Sequence, residues 1–326
     1  MIISRAPLRI SFFGGGTDYP EFFQHEPGTV LATAIDKYSY VTASPFMSHL
    51  FDYSIRVSYR KVELAKCAEE IEHKVYRECL KLCGLEKDIE LHAMADLPAF
   101  TGLGSSSTFT VALLHALHSF RGKFRTPAEL AYEAIHVERA ILSETVGCQD
   151  QVMAAFGGFN IVEFRKEDDI SVQRLQISAQ RLAQLEEHLI LVFTGITRQA
   201  SAVAAHQVQK VRQNLPALRQ MKSMVEEGAN ILTNQRPLSQ FGELLHRAWT
   251  AKRSLDNGIS NQEIDSIYAR GRDAGALGGK LLGAGGGGFM LFFVPPEKVE
   301  HLKAAFPEKP ALRVKLDAPG TRIIFS

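Results

Sequence analysis

A chain of 326 residues, 45% hydrophobic and 22% charged, is long enough for two packed domains, and 37 Lys and Arg against 36 Asp and Glu leave a net charge of +1. That balance supplies no field to hold a polyanion, so nucleic acid is not an expected partner. Four cysteines (Cys67, Cys79, Cys83, Cys148) without a C-x-x-C pair argue against a zinc site or a disulfide framework.

The first residues, IISRAPLRISFF, have strand character and run into a turn, GGGTDY. Arg5, Pro7 and Arg9 interrupt any signal-peptide apolar run. Further strands are predicted over residues 30–44 and 53–59, and residues 61–84 are predicted as a helix ending at Gly84. Ile89, Leu91 and Ala93 alternate as in a strand, and TGLGSSST then leads into a helix to Arg121, capped by Gly122. The charge-free run 97–120 is apolar only from Phe109 onward, too short for a bilayer of about 30 Å, so a soluble cytoplasmic protein is expected, with no membrane partner.

Thr126-Pro127-Ala128-Glu129 is a capping box. It opens a helix with Leu130, Ala134, Val137 and Ile141 on one face, ending near Thr145. GCQDQ starts a short helix, GFNIVEF is a strand, and RKEDDI is a hairpin tip or the start of a domain boundary. HLILVFTG is another strand. Two or three amphipathic helices fill residues 198–276, one through Leu238, Phe241, Leu244, Leu245 and Ala248, another from a capping box at Ser260 and Glu263. A glycine loop then feeds the strand FMLFF, and a short helix after Pro296 precedes strands in LRVKLD and TRIIFS. Mixed, not strictly alternating, elements favour an α+β protein of two domains, 1–180 and 181–326.

Three glycine segments could carry chemistry. In GLGSSST the free amides of a loop and helix start, with the helix dipole, suit a phosphate, although a plain Ser/Thr-rich helix start reads the same way. GAGGGG matches a dinucleotide fingerprint in letters only, because a strand and not a helix follows it, which rejects a nicotinamide-dependent oxidoreductase. No Walker A sequence occurs. In GGGTDY, Asp18 could accept hydrogen bonds from sugar hydroxyls or simply cap the turn.

Three charged side chains stand out. Asp150 lies at a helix start that would keep it ionised, either as a group that receives a proton or as an ordinary first-turn acid. Glu138 sits beside an apolar face, so it pairs or binds a cation, the plainer option being an edge salt bridge with Arg139 or His115. Arg9, inside an apolar strand, needs an anionic partner.

APLRISFFGGGTDY, LPAFTGLGSSST and KLLGAGGGGFMLFF, in that order along the whole chain, resemble the three motifs of the GHMP kinases, the family of galactokinase, homoserine kinase, mevalonate kinase and phosphomevalonate kinase. The resemblance implies the two-domain GHMP kinase fold, with an N-terminal domain like the second domain of ribosomal protein S5, a ferredoxin-like C-terminal domain, and the active site between them. It implies ATP and Mg²⁺. Gly102, Leu103, Gly104, Ser105, Ser106 and Ser107 would wrap the phosphates, and Ser106 and Glu138 would hold the metal. Asp150 would be the catalytic aspartate, Arg9 its basic partner, and Asp18 the acceptor of a sugar hydroxyl. The third-motif glycines, Gly285 and Gly286 among them, would support the phosphate loop and the substrate.

Gly15 and Gly16 stand where sugar kinases of the family place Glu and His on the sugar, which speaks against galactose. The form GGGTDYP, with TGITRQAS and GGKLLGAGGGGF, is most similar to the bacterial D-glycero-D-manno-heptose 7-phosphate kinases of the family. Those feed nucleotide-activated heptose into surface polysaccharide. That likeness implies a phosphorylated sugar accepting at its anomeric hydroxyl, with Arg198 and Lys252 offered to the distal phosphate or else merely solvated. The alternatives are a kinase for a neutral sugar such as fucose or galactose, and a non-catalytic regulator that binds sugar and ATP. The oligomeric state is left open, a homodimer included.

Overall fold

The computed structural model describes residues 1–166, 169–197 and 200–326. The first half runs β1 (Ile2–Phe13), α1 (Pro20–Phe23), β2 (Gly28–Pro45), β3 (Ile55–Ser58), β4 (Val62–Ala65), α2 (Lys74–Cys83), β5 (Ile89–Ala95), α3 (Ser105–Phe120), α4 (Pro127–Ile135), α5 (Gln149–Phe156), β6 (Phe159–Lys166) and β7 (Asp169–Arg174). The second half runs α6 (Ala179–His188), β8 (Leu189–Phe193), α7 (Ala200–Gln209), α8 (Leu215–Thr233), α9 (Ser239–Arg253), α10 (Gln262–Asp273), β9 (Gly278–Leu281), β10 (Phe289–Phe293), α11 (Val299–Ala304), β11 (Ala311–Leu312) and β12 (Arg322–Phe325).

Among the described residues the strands form two sheets. The larger has the order β12-β1-β2-β5-β3-β4, with β6 also on β2 and β7 on β6; the smaller is β11-β8-β10-β9. The length of β2 makes the larger sheet fork. Its first half, Gly28 to Thr33, pairs with β6, and its second half, Ser39 to Pro45, pairs with β5, while β1 runs along the other edge. α3 packs on β1 and β2 with Val111, Leu113, Leu114 and Leu117 fully buried. A second core joins the two sheets: Leu8, Ile10 and Phe12 of β1 meet Leu191, Met224, Phe241, Leu282 and Phe293. Phe12 meets Phe241 edge-on at 5.3 Å. Packing of this density fixes how the two halves face each other.

The two-domain α+β expectation matches the two sheets. Near the end of residues 181–326, β12 returns to the larger sheet and pairs with β1, and bridges at Ile35–Leu316 and Gly157–Pro319 lead it there. The predicted helix over 61–84 divides into β4, a short 3-10 turn and α2. Buried Glu63 accounts for this: its carboxylate accepts from the Tyr59 hydroxyl at 2.6 Å and the Glu72 amide at 2.6 Å, which pins the chain in a hairpin. The C-terminal cap at Gly84 stands, in the left-handed conformation. α10 is capped by Asn261, whose side chain accepts from the Ile264 amide at 3.0 Å, one residue later than predicted. The strands that flank RKEDDI, β6 and β7, pair antiparallel, while residues 167–168, the expected tip, lie outside the described residues. α6 was not predicted, and of LRVKLD only Leu312 joins a strand.

Candidate active site

A cleft of about 750 Å³ opens between the two halves. One wall is the loop between β5 and α3. Gly102 (φ +81°) and Gly104 (φ +77°) take left-handed turns that deliver the chain into α3. Among the described residues no side chain caps the N-terminus of α3, which leaves its first amides to a ligand. The second glycine loop explains why that wall needs glycine. A Cβ on Gly102 would lie 2.4 Å from the Leu282 carbonyl oxygen, one on Gly283 would lie 2.7 Å from Gly102 Cα, and one on Gly288 would lie 2.4 Å from the Thr101 carbonyl oxygen. The Phe289 amide donates to that same carbonyl at 3.0 Å. Two backbones thus press together without side chains, and the second half buttresses the first.

The charged side chains converge at this contact. Arg9 donates Nε to Asp150 Oδ1 at 2.7 Å and Nη2 to Oδ2 at 2.8 Å, and its Nη1 donates to the Gly102 carbonyl at 2.7 Å. The buried arginine has its anion, and Asp150 in the first turn of α5 is held in a fork. Asp18 is buried and accepts from the Gly16 amide and Gln149 Nε2, both at 2.9 Å. Burial, with the Asp150 charge adding to it, pushes the Asp18 pKa up. Gly147 is required beside it, since a Cβ there would sit 2.0 Å from Asp18 Oδ2.

Glu138 takes the cation-binding alternative no further than its neutral partners. α4 passes into a π turn, His136–Ile141, which swings Glu138 inward. Its carboxylate accepts from Ser107 Oγ at 2.7 Å, Thr110 Oγ1 at 2.6 Å and Gln151 Nε2 at 2.5 Å. Neither proposed salt bridge forms: Arg139 pairs with Glu21, and His115 contacts Thr321. Burial therefore lifts the Glu138 pKa to about 7. A buried carboxylate with only hydroxyl and amide partners fits a hard cation, which would relieve that cost. Among the described residues no group of three or more His, Cys, Asp or Glu gathers. Ser106 is exposed on the cleft wall, and it is Ser107, next to it, that touches Glu138.

Gly15 and Gly16 line the cleft as expected, and beside Gly15 there is space, the nearest atoms to a Cβ being Ser11 Oγ at 3.5 Å and Gln149 Nε2 at 3.8 Å. Gly285 and Gly286 do not reach it. They pack on Ile259, whose carbonyl accepts from the Gly286 amide at 2.9 Å, and Gly283 and Ala284 line the cleft instead. Arg198 lies outside the described residues. Lys252 of α9 is buried and donates to the Gly283 carbonyl, and its ionisation feels Arg9, Asp18 and Asp150, so it stands in the charged centre.

Sequence reasoning missed three side chains here. Lys280 of β9 is buried, lines the cleft, and donates to the Ser11 and Phe12 carbonyls at 2.8 and 2.9 Å. Ser11 Oγ and Gln149 Oε1 are buried without a partner among the described residues. The signals were present: Ser11 is two residues along a strand from Arg9, hence on the same face, and Gln149 precedes Asp150. The far end of the cleft is aromatic. Tyr59 lies 4.9 Å from His73, and Tyr76 lies 5.0 Å from Phe109, a wall suited to a flat base.

The N-terminal domain of GHMP kinases matches residues 63–158 and their C-terminal domain residues 229–312. The chain is also 31% identical to the D-glycero-alpha-D-manno-heptose 7-phosphate kinase of Campylobacter jejuni, over 92% of this chain and 91% of that protein. The chain belongs to the GHMP kinases. It is an ATP-dependent small-molecule kinase of the two-domain GHMP fold. It is 23% identical to the bifunctional fucokinase/GDP-fucose pyrophosphorylase of Arabidopsis thaliana over 95% of this chain, but spans only 31% of that longer protein. The crystal structure of a D-glycero-D-manno-heptose 1-phosphate kinase from Bacteroides thetaiotaomicron superposes with a TM-score of 0.80 at 24% identity, covering 100% of both chains, which is a likeness of fold. No helix among the described residues of this GHMP kinase is long and apolar enough to cross a membrane.

Proposed function

We propose that this kinase phosphorylates the anomeric hydroxyl of D-glycero-D-manno-heptose 7-phosphate, giving the 1,7-bisphosphate and ADP. The observation that carries the reading is the 31% identity over 92% of the chain to a kinase of that name. The site agrees with it. Asp18, held by Gln149, can receive a sugar hydroxyl, the unpartnered Ser11 Oγ and Gln149 Oε1 offer two more polar contacts, and the space at Gly15 admits a larger sugar.

The base of ATP lies against Tyr59, His73, Tyr76 and Phe109, and the phosphates meet the loop of residues 102–107 and the start of α3. Asp150, held in the fork of Arg9, receives the hydrogen bond of the attacking hydroxyl and aligns its oxygen with the γ-phosphorus. The new P–O bond forms as the bond to the β-phosphate oxygen breaks. The hydroxyl proton passes along that hydrogen bond to the Asp150 carboxylate, which releases it to solvent after the product departs. Mg²⁺ carried in with the nucleotide would be held by Glu138 with the Ser106 and Ser107 hydroxyls, and would supply neutralising charge at the phosphates.

The test is a coupled assay over heptose 7-phosphate, free heptose, fucose, galactose and mevalonate. The heptose phosphate is expected to have the highest kcat/KM, by at least about tenfold over free heptose for one lost charge-assisted contact. Equal values for the phosphorylated and free sugars would overturn the acceptor assignment. A preference for fucose would favour the neutral-sugar reading, which the match to the Arabidopsis enzyme also suggests.

A further inference from the structure

The cleft buries two lysines that no carboxylate pairs among the described residues. Arg9 is matched by Asp150, and Asp18 is held by an amide and a carboxamide. Lys252 and Lys280 remain, both buried, and neither forms an ion pair among the described residues. Lys280 spends two of its N–H groups on the ends of β1 and works as a strut between the halves. Lys252 spends one, on the Gly283 carbonyl, and has two left. A buried ammonium with no carboxylate partner is costly unless an anion comes to it.

Position says which anion. Gly283, which holds Lys252, packs on Gly102, and the Gly102 carbonyl holds Arg9. Lys252 and Arg9 therefore approach one backbone contact from opposite halves of the molecule. The charged groups that face Lys252 are Arg9 from β1, Asp18 from the turn after it, Asp150 from α5 and Lys280 from β9. These surround the point where hydroxyl and γ-phosphoryl meet, not the remote end of a sugar.

We propose that Lys252 is a further catalytic residue, whose ammonium binds the phosphoryl group in transit from the side opposite Arg9. The proposal rests on the kinase reading but not on heptose as the acceptor. Charge that spreads over the phosphoryl oxygens in the transition state is then gripped from both halves, by donors fixed before the reaction begins. Lys252 remains the proton's owner throughout; it makes hydrogen bonds and transfers no proton. Burial lowers its pKa to about 8, so the grip is present below that pH and is lost above it.

The test uses the full chain carrying Lys252→Met or Lys252→Arg, with whichever acceptor the sugar panel supports and its phosphorylated or free counterpart. Lys252→Met should lower kcat by at least about 100-fold with both acceptors, while the KM values for ATP and acceptor stay within threefold of wild type. Lys252→Arg should recover part of the loss. The kcat/KM of the wild type should decline above pH about 8, and the Met variant should lack that decline. Near-normal turnover of Lys252→Met overturns the proposal. So does a rise in KM confined to the phosphorylated acceptor, which would place Lys252 on the remote phosphate instead. Loss of nucleotide binding and of cooperative melting in both variants would make the residue a structural strut and would also overturn it.

Discussion

The two ends of the cleft are built in different ways. The base end comes from one stretch of chain, from Tyr59 to Phe109, and is aromatic and apolar, with charge only at its rim, where Lys61 pairs with Glu72. The transfer end is assembled from Arg9, Asp18, Asp150, Lys252, Lys280 and Gly283, which come from nearly the full length of the chain. An apolar wall is held by packing and tolerates changes that keep its volume. A convergence of buried charges has no such slack, because each group left without its partner costs the full desolvation of the survivor. Substitutions at the two ends should therefore differ in kind as well as in size.

The largest effect is expected at Asp150. Asp150→Asn should lower kcat by at least about 100-fold while nucleotide binding, measured by fluorescence competition, persists. It should also lower the melting temperature, since Arg9 keeps a charge with no anion. A variant with normal turnover would remove the reason for treating this end as the place of chemistry.

Gly147→Ala comes next. The new Cβ would fall 2.0 Å from Asp18 Oδ2, so the carboxylate must move. The KM for the acceptor should rise about tenfold or more while the KM for ATP is unchanged, because only the acceptor contact is disturbed. Equal changes in both constants would show that Asp18 does not serve the acceptor alone.

Glu138 tests the boundary between the ends through pH. Its folded pKa, about 7, stands above its ordinary value of 4.5. The folded protein thus holds a proton that the unfolded chain gives up, and the resulting stability is full below pH 4.5 and disappears as pH rises through 7. In metal-free buffer the cost of charging is on the order of 3 kcal/mol. The melting temperature should fall over this window, and Glu138→Gln should flatten the fall while raising the Mg²⁺ concentration needed for turnover. Identical melting profiles and Mg²⁺ titrations in the two proteins would contradict both roles.

The smallest effect belongs to the aromatic wall. Phe109→Leu removes ring contacts to Tyr76 and His73 at 5.0 and 5.6 Å. The KM for ATP should rise about two- to tenfold, the scale of such ring pairs, with kcat preserved. A fall in kcat instead would mean that the base end shapes the transition state too.

The sequence was most legible where one residue type answers one local need. The glycine-rich run GAGGGG ahead of a strand announced a backbone contact, and Gly283 and Gly288 make it. Thr126 and Glu129 form the capping box that their spacing required. Arg9 in an apolar strand needed an anion and found it in Asp150. Legibility failed where the deciding partner is far away in sequence. Gly285 and Gly286 look no different from Gly283, yet it is Ile259 that draws them away from the cleft. Ser107 rather than Ser106 faces Glu138 because a π turn rotates the acid, and a π turn has no spacing signature. Lys280 reads as one more surface lysine until β9 is known to end on the carbonyls of β1.

β12 has a consequence for how the molecule is made. Ile3 pairs with Phe325, so β1 waits for a strand synthesised after every other strand of the two sheets. Until β12 emerges, the edge of β1 is an open template, and every intermediate exposes unpaired backbone to its neighbours. The larger half of the molecule therefore cannot mature ahead of the smaller one, although its helices and most of its strands are synthesised first. Loss of Arg322–Phe325 alone would spare all the catalytic groups and still leave the first strand without its seam.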